Sequence, residues 1–369
     1  MKNVSPIILF SLAAIVFLRC NKDDNNITGS NGSVNIGPIS AGDPAQDLQE
    51  FEVILEALRG DLRIPGYSAA IVKNGQVVWA KGFGYANVED RIRAAPTTAY
   101  HLASLTKTFA STIIMKLVEE GDLDLESPVS DFGIELDSPG IIRVKHLFTH
   151  TSEGVPGSFF RYNGGRFGLL DDVILGASGK SFCKLLEEQI INPLGLERTV
   201  PNLLAFNITM LTWPERVQFA ECLAQGYTSD GEEREAYPTY FGTAAGLIST
   251  VLDMAAYSIA IDENRFLREE TKTRVFSPTI STHGGELPYG LGWFVQDLEG
   301  VRLVWHYGWW TANSSLIIKV PERELAFIIL ANTDMLSRAF PNIGDGDIRV
   351  SVVALEFLNA FVFGNGELP

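Results

Sequence analysis

The sequence predicts an α+β fold in which both ends of the chain build one antiparallel sheet and a helical region lies between them. Two strand-like runs, residues 67–73 and 76–82, are separated by an Asn-Gly pair, the strongest short hairpin signal. Two more runs, residues 314–320 and 324–331, stand near the other end. Strands at both ends and helical patterns in the middle are typical of a sheet that carries a helical insertion.

Helices are predicted wherever apolar residues recur at a spacing of three and four. The first such pattern spans residues 48–58, and a closing helix is expected around residues 348–361. The helical patterns of the middle region are residues 108–120, 171–175, 181–191 and 251–261.

The composition and net charge argue against nucleic acid as a partner. The chain has 369 residues, 46% of them hydrophobic, which is enough to bury a large core. Its 29 basic residues against 45 acidic ones give a net charge of −16, which repels phosphate backbones. We therefore expect no nucleic-acid binding.

The first twenty residues are typical of an export signal. Lys2 precedes an apolar run over residues 6–18 that is shorter than the roughly 17 residues needed to span a bilayer, and the run ends at Cys20. A cysteine in this place resembles the lipidation site of bacterial lipoproteins, which predicts a protein anchored in the cell envelope. Arg19 is unusual before a lipidated cysteine, so an ordinary cleaved signal with an incidental cysteine is the alternative.

The rest of the chain divides into a tether and one folded domain. Residues 21–45 are rich in Asn, Gly, Ser, Asp and Pro and predict a flexible tether, so the domain is expected over residues 46–369. Cys183 and Cys222 remain inside the domain, where one disulfide or two free thiols are both open.

Ser104 and Lys107 form the first candidate for chemistry. An apolar stripe over residues 109–118 predicts a buried helix that ends at Gly121, with Ser104 at its beginning. Side chains three apart share a helix face, so Lys107 reaches the Ser104 hydroxyl. An amine accepts a serine proton only if burial or a nearby cation lowers its pKa from about 10.4 toward neutrality. The helix start also favours a developing oxyanion.

Other serines fit less well. Ser-x-x-Lys occurs a second time at Ser181 and Lys184, where Ser181 has the position of a helix N-cap on an exposed amphipathic helix. Ser68 lies in a sequence close to the G-x-S-x-G elbow of α/β-hydrolases, but it enters a predicted hairpin. We expect neither serine to be a nucleophile.

Two further motifs give the Ser104 pattern its context. Tyr162 lies in the glycine-rich stretch 160–168, and His306-Tyr307-Gly308 lies on a predicted strand. With Ser104 and Lys107, these motifs resemble the serine β-lactamase-like family of class C β-lactamases, low-molecular-mass penicillin-binding proteins, D-aminopeptidases and esterases. Segments that also resemble this family are residues 144–152, 169–182, 192–196, 246–254 and 289–294.

The resemblance implies a β-lactamase/transpeptidase-like fold with an all-helical lobe over about residues 125–245 and the active site between the lobes. It makes Ser104 the nucleophile, Lys107 its base and Tyr162 the proton shuttle. His306 would line one wall, holding a proton for a substrate carboxylate or sharing one with Tyr162. Without the resemblance, a core tyrosine is the better interpretation of Tyr162, and His306 could simply cap a strand.

The backbone around the third motif has its own expected roles. Gly308 would let a substrate backbone lie against the strand. The N–H groups of Ser104 and Trp309 would form the oxyanion hole, and either Trp309 or Trp310 would be a wall of the substrate pocket. The partner implied is a small-molecule or peptidoglycan-like substrate, and the oligomeric state stays open.

One departure from the family shapes the functional prediction. The second motif of the family is Y-x-N, but Gly164 occupies the asparagine position here, and Trp309 narrows the cleft. The asparagine holds the acylamide group of β-lactams, so we expect a hydrolase of esters, or of amides with D-residues. A true β-lactamase and a non-catalytic penicillin-binding-like lipoprotein are the alternatives.

No cofactor or metal is predicted. His146 and His150 have the four-residue spacing of metal ligands on a helix, but the residues between them lack the glutamate of a zinc hydrolase. We expect packing and hydrogen-bonding roles for both histidines.

Overall fold

The computed structural model describes residues 44–202 and 222–364. The predicted signal over residues 1–20, its Cys20, and all but the last two residues of the predicted tether lie outside these ranges. The first described helix, α1, spans Pro44–Asp61 and so includes the last two residues of the predicted tether.

A seven-stranded antiparallel sheet with the order β3-β2-β1-β10-β9-β8-β7 is the centre of the described fold. Its first three strands come from the beginning of the domain and its last four from the end. The strands are β1 Gly66–Lys73, β2 Gln76–Asn87, β3 Ile92–Arg93, β7 Phe294–Leu298, β8 Val301–Trp310, β9 Asn313–Val320 and β10 Leu325–Ala331.

The two ends of the chain meet in the middle of this sheet. Strand β1 pairs with β10 in an antiparallel register from Tyr67 opposite Ala331 to Lys73 opposite Leu325. The turn between β1 and β2 has Asn74 at φ 51° and Gly75 at φ 71°, the left-handed pair that a two-residue hairpin requires. The sheet predicted from both chain ends is confirmed.

Helices cover both faces of the sheet. Helices α1 and α11 pack on one face through an aromatic cluster that includes Phe51, Phe327 and Phe357. Helices α2 and α8 pack on the other face with the middle region. The helices after α1 are α2 Thr106–Glu120, α3 Val144–Phe148, α4 Gly164–Gly168, α5 Leu170–Ser178, α6 Phe182–Leu186, α7 Asn192–Leu194, α8 Val251–Asp262, α9 Glu269–Val275, α10 Met335–Arg338 and α11 Val352–Leu358.

Short strands and irregular segments lie between the helices in the described part of the middle region. A second sheet of three short strands lies beside it, with β6 between the other two: β4 Tyr100–His101, β5 Val200–Pro201 and β6 Leu247–Ser249. Residues 222–246 contain no α-helix, and Gly231 and Gly246 there have left-handed φ angles that interrupt regular structure. The predicted α+β class is confirmed.

Helix α2 is buried along most of its length, as its apolar stripe predicts, and Gly121 ends it with φ 83°. Cys183 on α6 is a free thiol, so the Cys183–Cys222 disulfide that the sequence left open is not formed. Within the described ranges, no helix combines the length and apolar character that a bilayer crossing requires.

Candidate active site

Ser104 lies in a single 3₁₀ turn, Ala103–Leu105, that leads directly into α2. Ala103 has φ 49°, a left-handed conformation that costs energy for a residue with a Cβ. The turn is held by the Ala103 N–H, which donates to His101 Nδ1 at 3.1 Å, and by the Thr106 hydroxyl, which donates to the Ala103 carbonyl at 2.8 Å. The backbone before the serine is therefore fixed in a strained shape that neighbouring side chains support.

Lys107 points back at Ser104 from the first turn of α2. Its Nζ donates to Ser104 Oγ at 3.0 Å and to the Ala244 carbonyl at 2.7 Å. The ammonium lies 5.2 Å from the centres of the Tyr162 and Phe167 rings, and the side chain is fully buried. Burial lowers the pKa of Lys107 to about 7, so a large share of the amine is neutral near physiological pH.

The segment that carries the Ala244 carbonyl is anchored by a buried acid. The Thr243 N–H donates to Asp171 Oδ1 at 3.0 Å, and the Thr243 hydroxyl donates to the Phe167 carbonyl at 3.3 Å. Burial raises the pKa of Asp171 to about 7. Asp171 therefore fixes the backbone acceptor that orients Lys107, without contacting the lysine itself.

Tyr162 completes the group around Ser104. Its side chain is enclosed by aromatic neighbours, with the Phe294 ring stacked at 5.8 Å and the Tyr307 ring at 5.5 Å. The Tyr162 hydroxyl is buried and makes no hydrogen bond of normal geometry within the described residues. It is close enough to Ser104 for that hydroxyl to lower the pKa of Tyr162, but burial dominates and raises this pKa well above 10. The resting tyrosine is thus a neutral phenol facing the serine.

His306 lies on β8 as predicted, but its surroundings differ from the predicted ones. Its Nδ1 faces the Tyr307 carbonyl at 2.7 Å, and its Nε2 faces the Tyr289 hydroxyl at 2.9 Å. Burial, followed by the charge of Lys107, lowers the pKa of His306 well below 6.5. The imidazole is therefore neutral, since a charge in this place is desolvated and faces another cation. The predicted proton for a substrate carboxylate finds no support in this geometry.

Gly308 brings β8 against the Ser104 turn. A Cβ at this position would lie 2.3 Å from the Leu102 carbonyl oxygen and 2.1 Å from Ser315 Oγ, both too close for any side chain. The sequence motif predicts a glycine here so that a substrate backbone can lie along the strand. The structure supplies a different reason, because the approach of the serine turn itself requires glycine.

The free edge of β8 presents the Trp309 N–H. Trp310 pairs with Asn313 across a two-residue turn, so residues 308 and 310 direct their N–H groups toward β9 and Trp309 directs its N–H to the opposite edge. On that edge, β7 pairs with β8 only as far as Phe294 opposite Trp305. The Trp309 N–H therefore lies on an edge of β8 that β7 does not pair, and β8 packs against the Ser104 turn, where the first N–H groups of a helix have no intrahelical acceptors. The N–H groups of Ser104 and Trp309 are thus candidates for an oxyanion hole.

Gly164 lies directly beside Lys107. A Cβ on Gly164 would lie 3.9 Å from Lys107 Nζ with nothing closer, and the glycine does not have a left-handed φ. An asparagine would therefore fit here without strain and would face the lysine. The neighbouring Asn163 faces elsewhere, since its Oδ1 accepts the Arg166 N–H at 3.0 Å and its Nδ2 donates to Glu153 at 2.6 Å.

The tryptophans after the third motif divide into one packed and one open side chain. Trp310 stacks on Tyr240 with ring centres 5.7 Å apart. Trp309 is 40% exposed, and both tryptophans border a cavity of about 560 Å³ whose lining does not include Ser104. Trp309 is thus the more exposed of the two tryptophans beside this cavity.

The other serines and histidines considered from the sequence make hydrogen bonds that stabilise the fold. Ser68 is a strand residue whose hydroxyl donates to the Ala95 carbonyl at 2.7 Å, and Ser181 caps α6 by accepting the Lys184 N–H at 3.3 Å. His146 and His150 accept backbone N–H groups through Nδ1. Among the residues that the structure describes, no cluster of His, Cys, Asp or Glu is suited to hold a metal ion.

Sequence reasoning missed three parts of the site: the Ala244 carbonyl, the Asp171 carboxyl that anchors its segment, and Tyr289 beside His306. A backbone carbonyl has no sequence signature. Tyr289 lies in the stretch 289–294 that resembles the family. The resemblance therefore pointed to this segment, but only the folded chain shows that Tyr289 contacts His306.

Known proteins resemble this chain in sequence and in fold. The Beta-lactamase family model matches residues 51–343. The chain is 27% identical to a D-aminopeptidase of Gluconobacter oxydans over 317 residues, 76% of this chain and 58% of that protein. It is 26% identical to the protein flp of Staphylococcus aureus strain MW2 over 327 residues, 77% of this chain and 63% of that protein. The chain thus spans about three fifths of the length of these curated relatives.

A solved structure extends the agreement to the fold. The octameric penicillin-binding protein homologue from Pyrococcus abyssi superposes with a TM-score of 0.75 and 27% identity, covering 88% of this chain and 79% of that chain. The family match takes in both the Ser104 turn and β8, which meet at the candidate site. The protein belongs to the serine β-lactamase-like family and has the hydrolase fold of that family.

Proposed function

We propose that the protein hydrolyses esters, or amides next to D-residues, through an acyl-enzyme on Ser104. The observation that carries this proposal is Lys107, a fully buried amine 3.0 Å from Ser104 Oγ with a pKa lowered to about 7. An amine in this state accepts a proton at neutral pH, which is what a serine alcohol needs to become a nucleophile.

Acylation follows from the positions of four groups. Ser104 Oγ attacks the substrate carbonyl carbon while its proton passes to the neutral amine of Lys107. The negative charge that develops on the carbonyl oxygen is stabilised by the N–H groups of Ser104 and Trp309. Tyr162, a neutral phenol beside Ser104, relays a proton to the leaving oxygen or nitrogen as its bond to carbon breaks, and the acyl group stays on Ser104.

Deacylation uses the same groups in reverse. A water molecule attacks the acyl carbon and gives its proton to the Lys107–Tyr162 pair, the bond to Ser104 Oγ breaks, and the serine regains a proton. Because Lys107 returns to its starting state, the cycle consumes only water and substrate. The neutral His306 supports Tyr289 and the wall of the cleft without exchanging a proton.

Gly164 favours simple acyl substrates. An asparagine amide at this position would donate a hydrogen bond to a bound acylamide, and a site without it loses roughly 0.5 to 1.5 kcal/mol per bond. Simple esters make no such demand, and their apolar acyl group can contact the exposed face of Trp309. The preference for D-residues rests on the D-aminopeptidase of Gluconobacter oxydans, of which the chain matches 58%.

Covalent labelling tests the nucleophile. A fluorophosphonate should modify Ser104, and Ser104→Ala should abolish labelling and turnover while the melting temperature stays close to wild type. Ser181→Ala, in the second Ser-x-x-Lys pattern, is the matched control and should label normally. A modified peptide containing Ser181 or Ser68 would reject the assignment, and absence of any label would favour a non-catalytic, penicillin-binding-like role.

Substrate comparison tests the specificity. We expect turnover of short-chain p-nitrophenyl esters, with cephalosporin hydrolysis much slower or halted at the acyl-enzyme. Efficient cephalosporin hydrolysis without ester activity would make the protein a true β-lactamase and contradict the role given to Gly164.

We also propose that the protein acts in the cell envelope on a small-molecule or peptidoglycan-like substrate, anchored by lipid at Cys20. The support is the apolar run over residues 6–18 that ends at this cysteine. Cys20→Ser should release the protein from the membrane fraction, and unchanged fractionation would contradict the lipid anchor.

A further inference from the structure

His150 contacts the backbone on both sides of Tyr162. The His150 carbonyl accepts the Arg161 N–H at 2.9 Å, and His150 Nδ1 accepts the Asn163 N–H at 3.1 Å. Arg161 and Asn163 are the two residues that flank the tyrosine. One histidine thus fixes the chain immediately before and immediately after the candidate proton shuttle.

The His150 ring also fixes the Tyr162 side chain. The two ring centres are 4.4 Å apart at an interplanar angle of 36°, the shortest ring distance that Tyr162 makes among the described residues. Phe167 packs against the same imidazole at 5.3 Å and Tyr289 at 4.9 Å. Because His150 is almost completely buried, the phenol ring has a rigid support on this side.

The backbone of His150 is held in an unusual conformation. Its φ is 56°, in the left-handed region that non-glycine residues rarely adopt. This conformation lets the carbonyl and the ring of His150 both face the segment of residues 161–163. Backbone strain of this kind persists only where surrounding contacts stabilise the strained conformation. The two hydrogen bonds from His150 to the Tyr162 segment supply this stabilisation.

The His150 imidazole is neutral at neutral pH. Burial, and then the charges of Lys107 and His306, lower the pKa of His150 well below 6.5. Since Nδ1 accepts the Asn163 N–H, the proton of the neutral ring is on Nε2, and this N–H has no partner in the described parts of the chain. The histidine is therefore an acceptor toward the tyrosine segment and not an acid or a base.

From these contacts we propose that His150 is the positioning residue of Tyr162, holding its backbone and its ring so that the phenol oxygen faces Ser104 during acyl transfer. The inference rests on the proposed function and adds the residue that makes the shuttle geometry possible. A displacement of about 1 Å at a reacting group costs up to about 100-fold in rate, so a support of this kind acts on kcat more than on KM.

Two variants separate the contributions of His150. His150→Asn keeps an acceptor near the position of Nδ1 and tolerates a left-handed φ, whereas His150→Gly tolerates the φ but has neither acceptor nor ring. With a p-nitrophenyl ester, we expect His150→Gly to lose about 10- to 100-fold in kcat with KM changed by no more than about threefold. The loss of log kcat in His150→Asn should be at most half of the loss in His150→Gly.

A double-mutant cycle distinguishes positioning from general support of the fold. If His150 acts through the Tyr162 hydroxyl, His150→Gly should cause little further loss in a Tyr162→Phe background. Equal losses in both backgrounds would overturn the inference, as would a normal kcat in His150→Gly. If His150→Gly does not fold, His150→Asn, which tolerates the left-handed φ and lacks the ring, replaces it in the same cycle.

His146 is the matched control. It stands four residues earlier, and its Nδ1 accepts the Arg143 N–H at 3.0 Å at the start of α3, without a ring contact to Tyr162. His146→Gly should lower the melting temperature and leave kcat unchanged. Failure of the proposed function would appear separately, as a wild-type protein that neither labels at Ser104 nor turns over ester.

Discussion

Two lysines of this protein are almost completely removed from water, and they have opposite surroundings. Lys107 begins α2 beside Ser104, and Lys319 lies on β9 under α8; their exposed fractions are 0% and 1%. Burial lowers the pKa of both side chains, because a buried ammonium loses its hydration. Burial alone therefore does not distinguish a reactive lysine from a structural one.

The difference lies in the partners. Lys319 Nζ pairs with Asp262 at 2.8 Å and donates to the Ser258 hydroxyl at 2.6 Å, and the carboxylate raises the pKa of the lysine against the effect of burial. Lys107 has a serine hydroxyl, a carbonyl and two aromatic faces, but no ion-pair partner among the described residues. Without a carboxylate to hold its proton, the pKa of Lys107 falls to about 7.

Exchange of each lysine for arginine should produce the largest contrast. Arginine keeps the charge but cannot become a neutral base. We expect Lys107→Arg to lose roughly 100-fold or more in kcat, as for a missing general base, and Lys319→Arg to retain activity with a lower melting temperature. Near-normal ester turnover by Lys107→Arg would mean that Lys107 acts only through its charge and that Tyr162 is the general base.

Giving Lys107 an acidic partner should make it resemble Lys319. A Cβ on Gly164 lies 3.9 Å from Lys107 Nζ, so Gly164→Asp places a carboxylate within reach. An opposite charge this close raises a lysine pKa by about one to three units, so the amine stays protonated at neutral pH and kcat/KM at pH 7 falls about tenfold or more. The rate should recover as the pH rises through the new pKa.

Gly164→Asn is the isosteric control for this variant. Its neutral amide leaves the acidic limb of the kcat/KM profile near pH 7 and should increase the preference for amide over ester substrates. If Asp and Asn at position 164 give the same pH profile, the absence of a carboxylate is not what sets the pKa of Lys107.

Local patterns predicted much of the fold and part of this site. The Asn74-Gly75 hairpin, the apolar stripe of α2 and its Gly121 cap follow from neighbouring residues, and so does the approach of Lys107 to Ser104. The positions of Tyr162 and Gly164 came from a resemblance in motif order, since no local rule places a loop residue beside a helix.

The rest depends on contacts between distant segments. The Ala244 carbonyl lies 137 positions after Lys107 and belongs to a backbone group that every residue has. The neutral state of His306 depends on Tyr289 and on the charge of Lys107, neither of which the strand pattern reveals. The contact of Gly308 with the serine turn, which excludes any side chain at this position, also required the folded chain.

The last effect we predict is thermodynamic and concerns the pH dependence of stability. Lys107 has a folded-state pKa of about 7, whereas the unfolded chain binds the same proton up to a pKa of about 10.4. Below pH 7 both states are protonated and the buried charge destabilises the fold fully. Between these pKa values the unfolded state binds more protons, so the free energy of unfolding rises with pH by up to about 1.4 kcal/mol per unit from this group.

Lys107→Met removes this contribution and keeps an apolar side chain of similar length. We therefore expect the variant to be more stable than wild type at pH 7, with an advantage that shrinks steadily as the pH is raised toward 9.5. Urea unfolding at a series of pH values measures the difference between the two proteins, which cancels the titration of groups they share, including Lys319. Lys319→Met should not gain stability in this way at pH 7, because it leaves Asp262 without its partner. Parallel pH profiles for wild type and Lys107→Met would mean that Lys107 has an ordinary pKa, and the contrast between the two lysines would then have no chemical consequence.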